Sequence, residues 1–235
     1  MPNFLITYLD QPYIDLFDEK GSMLHRVDMS AVFEAYEDLQ LTKLDHVKLP
    51  KLTWSCRSLN LLPTQVSTTN LGGDITMSEK LITAGLCNYK GTVRPFLARL
   101  TVTFSIPDIE TPRRDEKKHK QVIKVDADVI KIVGGEDYDE ISALAFGPYD
   151  NGYVLAGMLS GRLLVYDPVT LDRVKDFNVF TKGKMRGELK VAEPITSIQF
   201  EPTELVFVAS SQGSIAALSI VKKEMHYVYL DLGNR

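Results

Sequence analysis

The chain has 235 residues, 44% of them hydrophobic and 25% charged, the balance of a globular protein rather than a disordered one. Its 27 basic and 31 acidic residues are spread along the sequence and leave a formal charge of -4, which excludes a broad positive field for nucleic acid or a polybasic membrane patch. No apolar run nears the ~20 residues of a membrane helix and no signal-peptide order opens the sequence, so a soluble, intracellular, cytoplasmic protein without membrane insertion is expected.

In chain order, alternation of apolar and polar residues over four to eight positions predicts strands at 4–9 and 13–17. A short helix at 29–40 follows, because Met29, Val32, Phe33, Tyr36 and Leu39 recur three or four residues apart behind a capping Asp28 or Ser30. Trp54 alternates with Leu52 and Cys56 as a core residue of a strand would. Residues 61–74, with Pro63 and Gly72-Gly73, and residues 107–120, with the run Arg113 to Lys120, are expected to be surface loop insertions. Further strands are expected at 81–85, 99–104, 141–146, 153–157, 163–166, 195–200, 205–209, 214–220 and 225–230, an all-β pattern. Cys56 and Cys87 are too few for the disulfide framework of a small secreted domain and are read as core thiols.

The second half repeats itself. ISALAFGP (141–148) aligns without a gap on ITSIQFEP (195–202), placing Phe146 on Phe200 and Pro148 on Pro202. LAGMLSGRLLVYD (155–167) then matches VASSQGSIAALSI (208–220) with a one-residue slip. Each unit reads as three strands on tight hairpins, with Phe146 and Phe200 facing inward. Ala156-Gly157 and Ala209-Ser210 allow close backbone approach, and Gly161 and Gly213 supply a positive φ. A fourth strand follows in each unit, at 171–177 and 225–230.

This arrangement resembles the WD-repeat (WD40-like) family, whose units are four-stranded propeller blades opening on apolar-x-x-apolar-x-Phe-x-Pro and ending their third strand on Trp-Asp. Tyr166-Asp167 stands at the Trp-Asp position, and Phe17-Asp18 stands there in the first half. Residues 81–85, ahead of Gly91, look like another second strand. The second clear unit has Ser219-Ile220 instead, neither unit has the family's upstream Gly-His, and Ser160 and Gln212 replace the Asp before the turn glycine. The family's structural hydrogen-bond network is therefore expected to be absent. The resemblance implies an all-β partial β-propeller of about four four-stranded blades, near 1–28, 47–106, 122–177 and 190–230. In this register the chain enters a blade at its second strand, so further sequence or another chain is expected to complete a larger propeller.

No catalytic, cofactor-binding or metal residues emerge. His25, His46, His119 and His226 are scattered, and neither cysteine has a ligand at metal-site spacing. No nucleophile elbow is present, and Ser210 and Ser211 are read as satisfied or solvent-facing hydroxyls. Gly72-Gly73 and Gly134-Gly135 lack the signature of a phosphate loop. Asp126, Asp128, Glu136, Asp137, Asp139 and Glu140 lack calcium-loop spacing and are read as a solvated inter-blade loop.

A rigid propeller presents loop-built rims to partners and does no chemistry by itself. The resemblance thus implies a non-catalytic protein-protein interaction scaffold within a larger assembly, with other proteins as partners and nucleic acid not expected. The rivals are a propeller enzyme whose catalytic groups lie in blades beyond this sequence, and a permanent structural part of a cytoskeletal, ciliary or trafficking complex. Expected partner-binding residues are Val32, Phe33, Tyr36 and Leu39, if the helix stands off the blades, and Arg113, Arg114, Lys117 and Lys118. Alternatively the apolar stripe packs on its own blade edge.

Overall fold

Short strands with one apolar face, joined by tight turns, form antiparallel meanders. The computed structural model describes residues 4–7, 13–18, 20–43, 53–71, 74–89, 92–106, 122–133, 139–147, 152–181, 184–186, 189–201, 205–219 and 228–231. Among them the fold is all-β apart from one helix. The chain divides into two units, Met1–Thr83 with Ala98–Ile130, and Ala84–Leu97 with Lys131–Arg235.

The first unit opens with a sheet of β1 (Phe4–Thr7), β2 (Tyr13–Phe17) and β3 (Met23–Asp28) in that order. Ile14 and Leu16 are buried, and so is Asp15 between them at 1% exposure. Its register partner Arg26 makes that burial tolerable, with Nε and an Nη each 2.7 Å from a carboxylate oxygen. Asp18 Oδ1 accepts the N–H groups of Lys20 and Ser22 and so shapes the β2–β3 turn.

Helix α1 (Met29–Lys43) begins where Asp28 Oδ1 accepts the N–H of Ser30 at 2.9 Å, which identifies Asp28 as the cap. The helix runs past the expected end at 40, since no Gly or Pro interrupts the sequence before Pro50.

The next sheet has the order β4 (Thr53–Leu71), β5 (Asp74–Tyr89), β6 (Thr92–Ile106), β7 (Val122–Ile132). Two expectations are corrected here. The loop expected at 61–74 is mostly strand: β4 runs through Pro63 to Leu71. It lies at the sheet edge, where a missing N–H is tolerated. Residues 122–132 close this sheet rather than open the next. The loop expected at 107–120 lies outside the described residues.

In the second unit, β8 (Ile141–Phe146), β9 (Val154–Met158), β10 (Arg162–Tyr166) and β11 (Arg173–Asn178) form one four-stranded meander. A small hairpin of β12 (Lys184–Arg186) and β13 (Leu189–Val191) follows. A second meander consists of β14 (Ile195–Phe200), β15 (Leu205–Ser210), β16 (Ser214–Ser219) and β17 (Val228–Asp231).

The two meanders are copies down to their irregularities. Each first strand carries a bulge at one position, at Ser142 and at Thr196. Gly161 and Gly213 adopt φ +77 and +80 in matching turns, donating to the carbonyls of Met158 and Ser210. Leu159 and Ser211 donate to the carbonyls of Glu140 and Pro194. The registers resolve the slip left by the sequence: Leu155 pairs with Ala145 and Val165, and Phe207 with Gln199 and Ala217. Leu155 and Phe207 are therefore equivalent.

The meanders pack face to face over one core, with Ala143, Leu155, Leu163, Val165 and Phe177 meeting Ile195, Ile198, Val206, Val208, Ala216 and Leu218. Phe200 is partly buried against this core, and Phe146 is also half-buried. Two consecutive blades packed in this way constitute a partial propeller. The sheets approach closely at Gly157, where a Cβ would lie 2.8 Å from Ile195 Cβ and nearer still to its Cγ2. Between the meanders the chain crosses the Gly161 turn, Phe180 donating to the Gly161 carbonyl at 2.9 Å and accepting from Glu193 at 3.2 Å.

Gly161 and Gly21 share φ +77, but a Cβ at Gly161 would stand 2.7 Å from the Phe180 carbonyl carbon, whereas Gly21 faces open space. Gly21→Ala is expected to cost about 1–2 kcal/mol from backbone conformation alone. Gly161→Ala is expected to add about 1–3 kcal/mol of overpacking. Urea unfolding of both variants measures the difference; equal losses would mean that the Phe180 backbone does not press on the turn.

Candidate interaction surface

A site needs side chains whose polar atoms are not consumed by the fold. In both meanders the acidic residue two positions before the first strand holds the turn after the second strand. Asp139 accepts the N–H of Ser160 at 3.0 Å and its hydroxyl at 2.5 Å. Glu193, 1% exposed, accepts the Ser210 hydroxyl at 2.5 Å. Ser210 Oγ in turn accepts the N–H groups of Gln212 and Ser214. A blade-internal polar network thus exists, built on acid and hydroxyl instead of the residues this sequence lacks.

Third-strand ends show the same economy. Asp167 Oδ1 accepts the N–H groups of Thr170 and Val169, which hold its carboxyl below the usual range. Asp18 plays the matching part after Phe17, and both aromatic residues sit at a register shift. Tyr166 is buried in the Trp position, and burial pushes its phenol up to about 12.

The acidic run is corrected from one solvated loop to several structural contacts. Asp126 and Asp128 lie within β7. Asp126 pairs with Lys124 at 2.7 Å. Asp128 accepts from Lys80 Nζ at 2.8 Å, Thr101 Oγ1 at 2.8 Å and Arg99 Nε at 3.2 Å. Asp139 and Glu140 lead into β8, with Glu140 buried. Glu136 and Asp137, like Gly72-Gly73 and Gly134-Gly135, lie outside the described residues. Among the described residues no three His, Cys, Asp or Glu side chains gather as metal ligands. Cys87 is a buried thiol.

Of the expected partner-binding residues, Phe33 is fully buried with Met29 and is unavailable to a partner. A helix docked by this stripe presents only its margins, and Val32 and Tyr36 are half-exposed. The Leu39 side chain and Arg113, Arg114, Lys117 and Lys118 lie outside the described residues.

A surface not singled out from sequence is the second face of the β14–β17 sheet. Ala143, Leu155, Gly157, Leu163 and Val165 of the first meander are buried under the second. Their register equivalents Ser197, Phe207, Ala209, Ile215 and Ala217 are exposed or half-exposed. Leu155 is 0% exposed and Phe207 38%. The repeat alignment held the signal, since equivalent positions in stacked repeats should be covered equally unless one face is open.

No known family profile matches the sequence, and no curated protein matches it. Among solved structures, the chain is similar to the crystal structure of Saccharomyces cerevisiae Sqt1, with 10% identity and a TM-score of 0.38. The similarity covers 100% of this chain and 66% of that one, so the chain spans less than two thirds of its length. The blade assignment rests on the strand orders and registers.

Ser210→Ala removes the donor to buried Glu193 and the acceptor for two turn N–H groups, and should cost about 1–3 kcal/mol. Adding Glu193→Gln should cost less than the sum of the single changes, as a thermodynamic cycle by urea unfolding would show.

At Asp128 burial pushes the carboxyl up, but hydrogen bonds from Lys80 and Thr101 and the charges of Lys80 and Arg99 together outweigh it and hold it low. A depressed carboxyl stabilises the fold above its unfolded pKa of about 3.9 and loses that contribution as pH falls through the folded value. Asp128→Asn should therefore be less stable than wild type at neutral pH, with the gap narrowing below about pH 4. A constant gap in stability against pH would show that the cluster does not act through charge.

Proposed function

We propose that this chain is a non-catalytic protein-protein interaction scaffold of WD-repeat type, acting as a propeller part within a larger assembly in the cytoplasm. The observation that carries this reading is the open face of β14–β17, exposed or half-exposed where the equivalent face of the preceding meander is covered. An apolar residue the size of Phe207, ringed by small and polar side chains, suits a protein contact. The use of Asp139, Glu193, Ser160 and Ser210 in holding turns further supports a structural role for these polar groups. Half-exposed Val32 and Tyr36, and Arg113, Arg114, Lys117 and Lys118, are proposed as secondary contacts.

The test is size-exclusion of the endogenous protein from gently lysed cells, with the chain followed by immunodetection. Elution in a particle well above the polypeptide's own mass on a denaturing gel, shifting to lower mass in high salt or mild urea, is the expected result. Elution as a single chain at every concentration overturns the scaffold reading.

A further inference from the structure

Between the two meanders the chain leaves the blades and returns to them at one point. Phe180 and Glu193 are both buried there, and Phe180 donates to the Gly161 carbonyl while accepting from the Glu193 N–H. The outgoing and returning segments are thus pinned side by side at the turn after β9. Beyond this root the chain pairs with itself as β12 and β13, with Lys184 opposite Val191, Met185 opposite Lys190 and Arg186 opposite Leu189. Every other described sheet has three or four strands, and this one has two. A two-stranded ribbon is marginal in water by itself, and the buried root holds its base. Among the described residues no strand joins either outer edge, and such an edge presents alternate N–H and C=O groups to a further strand.

Charge selects what that strand can be. Three of the six residues of β12 and β13, Lys184, Arg186 and Lys190, are basic and none is acidic, in a chain whose formal charge is -4. By the two-residue period of a strand, Lys184 and Arg186 share one face of the ribbon with Leu189 and with exposed Val191. A second copy of the ribbon would set like charges against each other across the new pairing, which is destabilising. Several of the chain's own acids are engaged where they stand: Asp128 by Lys80 and Arg99, Asp139 by Ser160, Asp167 by Thr170, and Asp176 by Arg162. A single-stranded nucleic acid would meet the cations but leave the strand edge and Val191 unused. An extended peptide that alternates acidic and aliphatic residues uses all three.

We infer that the β12–β13 ribbon takes an extended acidic segment of another protein as its third strand. Main-chain hydrogen bonds hold that segment to the edge, and its carboxylates meet Lys184, Arg186 and Lys190. The inference rests on the scaffold reading and gives it a partner of stated chemistry.

The full chain is titrated into a fluorescent peptide that alternates Glu and Val, and binding is followed by anisotropy. Three related peptides are run beside it, with Gln for Glu, with backbone N-methylation at every Glu, and with backbone N-methylation at every Val. A strand added to an edge turns alternate N–H groups towards it. One methylation pattern should therefore weaken binding at least about tenfold, by removing several hydrogen bonds, and the other should leave it unchanged. Gln for Glu should weaken binding at least about tenfold, and so should Lys184→Glu combined with Arg186→Glu and Lys190→Glu, with the urea midpoint of the chain unchanged. Absent binding, equal binding of the Gln peptide, methylation patterns that act alike, or tighter binding of a polyuridylate strand overturns the inference. If the charge-reversed chain unfolds, the peptide series on the unaltered chain decides alone. A large particle by size-exclusion with no peptide binding sinks the inference alone; a single-chain elution sinks the scaffold reading with it.

Discussion

The second unit depends on how closely two sheets can approach at Gly157. Face-to-face sheets ordinarily stand about 10 Å apart, and side chains fill the gap. Here one position gives up its side chain, so that Ile195 of the next sheet enters the space and the Ser142 hydroxyl reaches the Ile195 carbonyl. The rest of the interface is ordinary aliphatic packing, which tolerates rearrangement as long as volume is kept. The glycine contact does not, because its neighbour is a β-branched side chain next to strand backbone. It therefore leaves no room for a side chain at this point of the interface.

Buried polar groups give the blades their uniqueness. A carboxylate at 1% exposure is costly unless it is hydrogen-bonded, so Glu193 is compatible with one placement of the β15–β16 turn, the one that brings Ser210 to it. Asp139 does the same one repeat earlier through a different hydroxyl. The acid keeps its place before the first strand in both meanders, while the hydroxyl moves two positions along the turn. What the repeat preserves is the acid-to-hydroxyl contact that holds the turn, not a residue identity.

This explains which parts of the fold are legible in sequence. Residues 141–146 and 195–200 appear as strands within the expected bounds because period-2 alternation and the shared Phe and Pro are local signals. Gly161 and Gly213 are legible because a positive φ leaves a mark at one position. The ends of β4 and β7 are not local. Pro63 and Gly72-Gly73 resemble a loop until it is known that β4 is an edge strand. Asp128 resembles part of a solvated run until Lys80, Arg99 and Thr101 are seen on other strands of the same sheet. The Asp128 charge is neutralised by residues remote in sequence. Phe33 likewise fits either a docking stripe or a core anchor on helical periodicity, and burial decides for the core.

The candidate surface became legible only when both repeats were compared position by position. A single blade does not reveal which face it leaves open, because each of its faces is partly apolar. Two copies, one covered and one not, turn small substitutions into information: Ala143 to Ser197, Ala145 to Gln199, Gly157 to Ala209. Each makes the open face wetter or fuller without disturbing the strand pairing behind it, since both meanders retain the same bulge and turns. Departures confined to one face of a sheet whose other face keeps its packing follow from what that face meets. In a repeat protein, one copy of an interface can therefore change its exposed chemistry while its strand pairing stays the same.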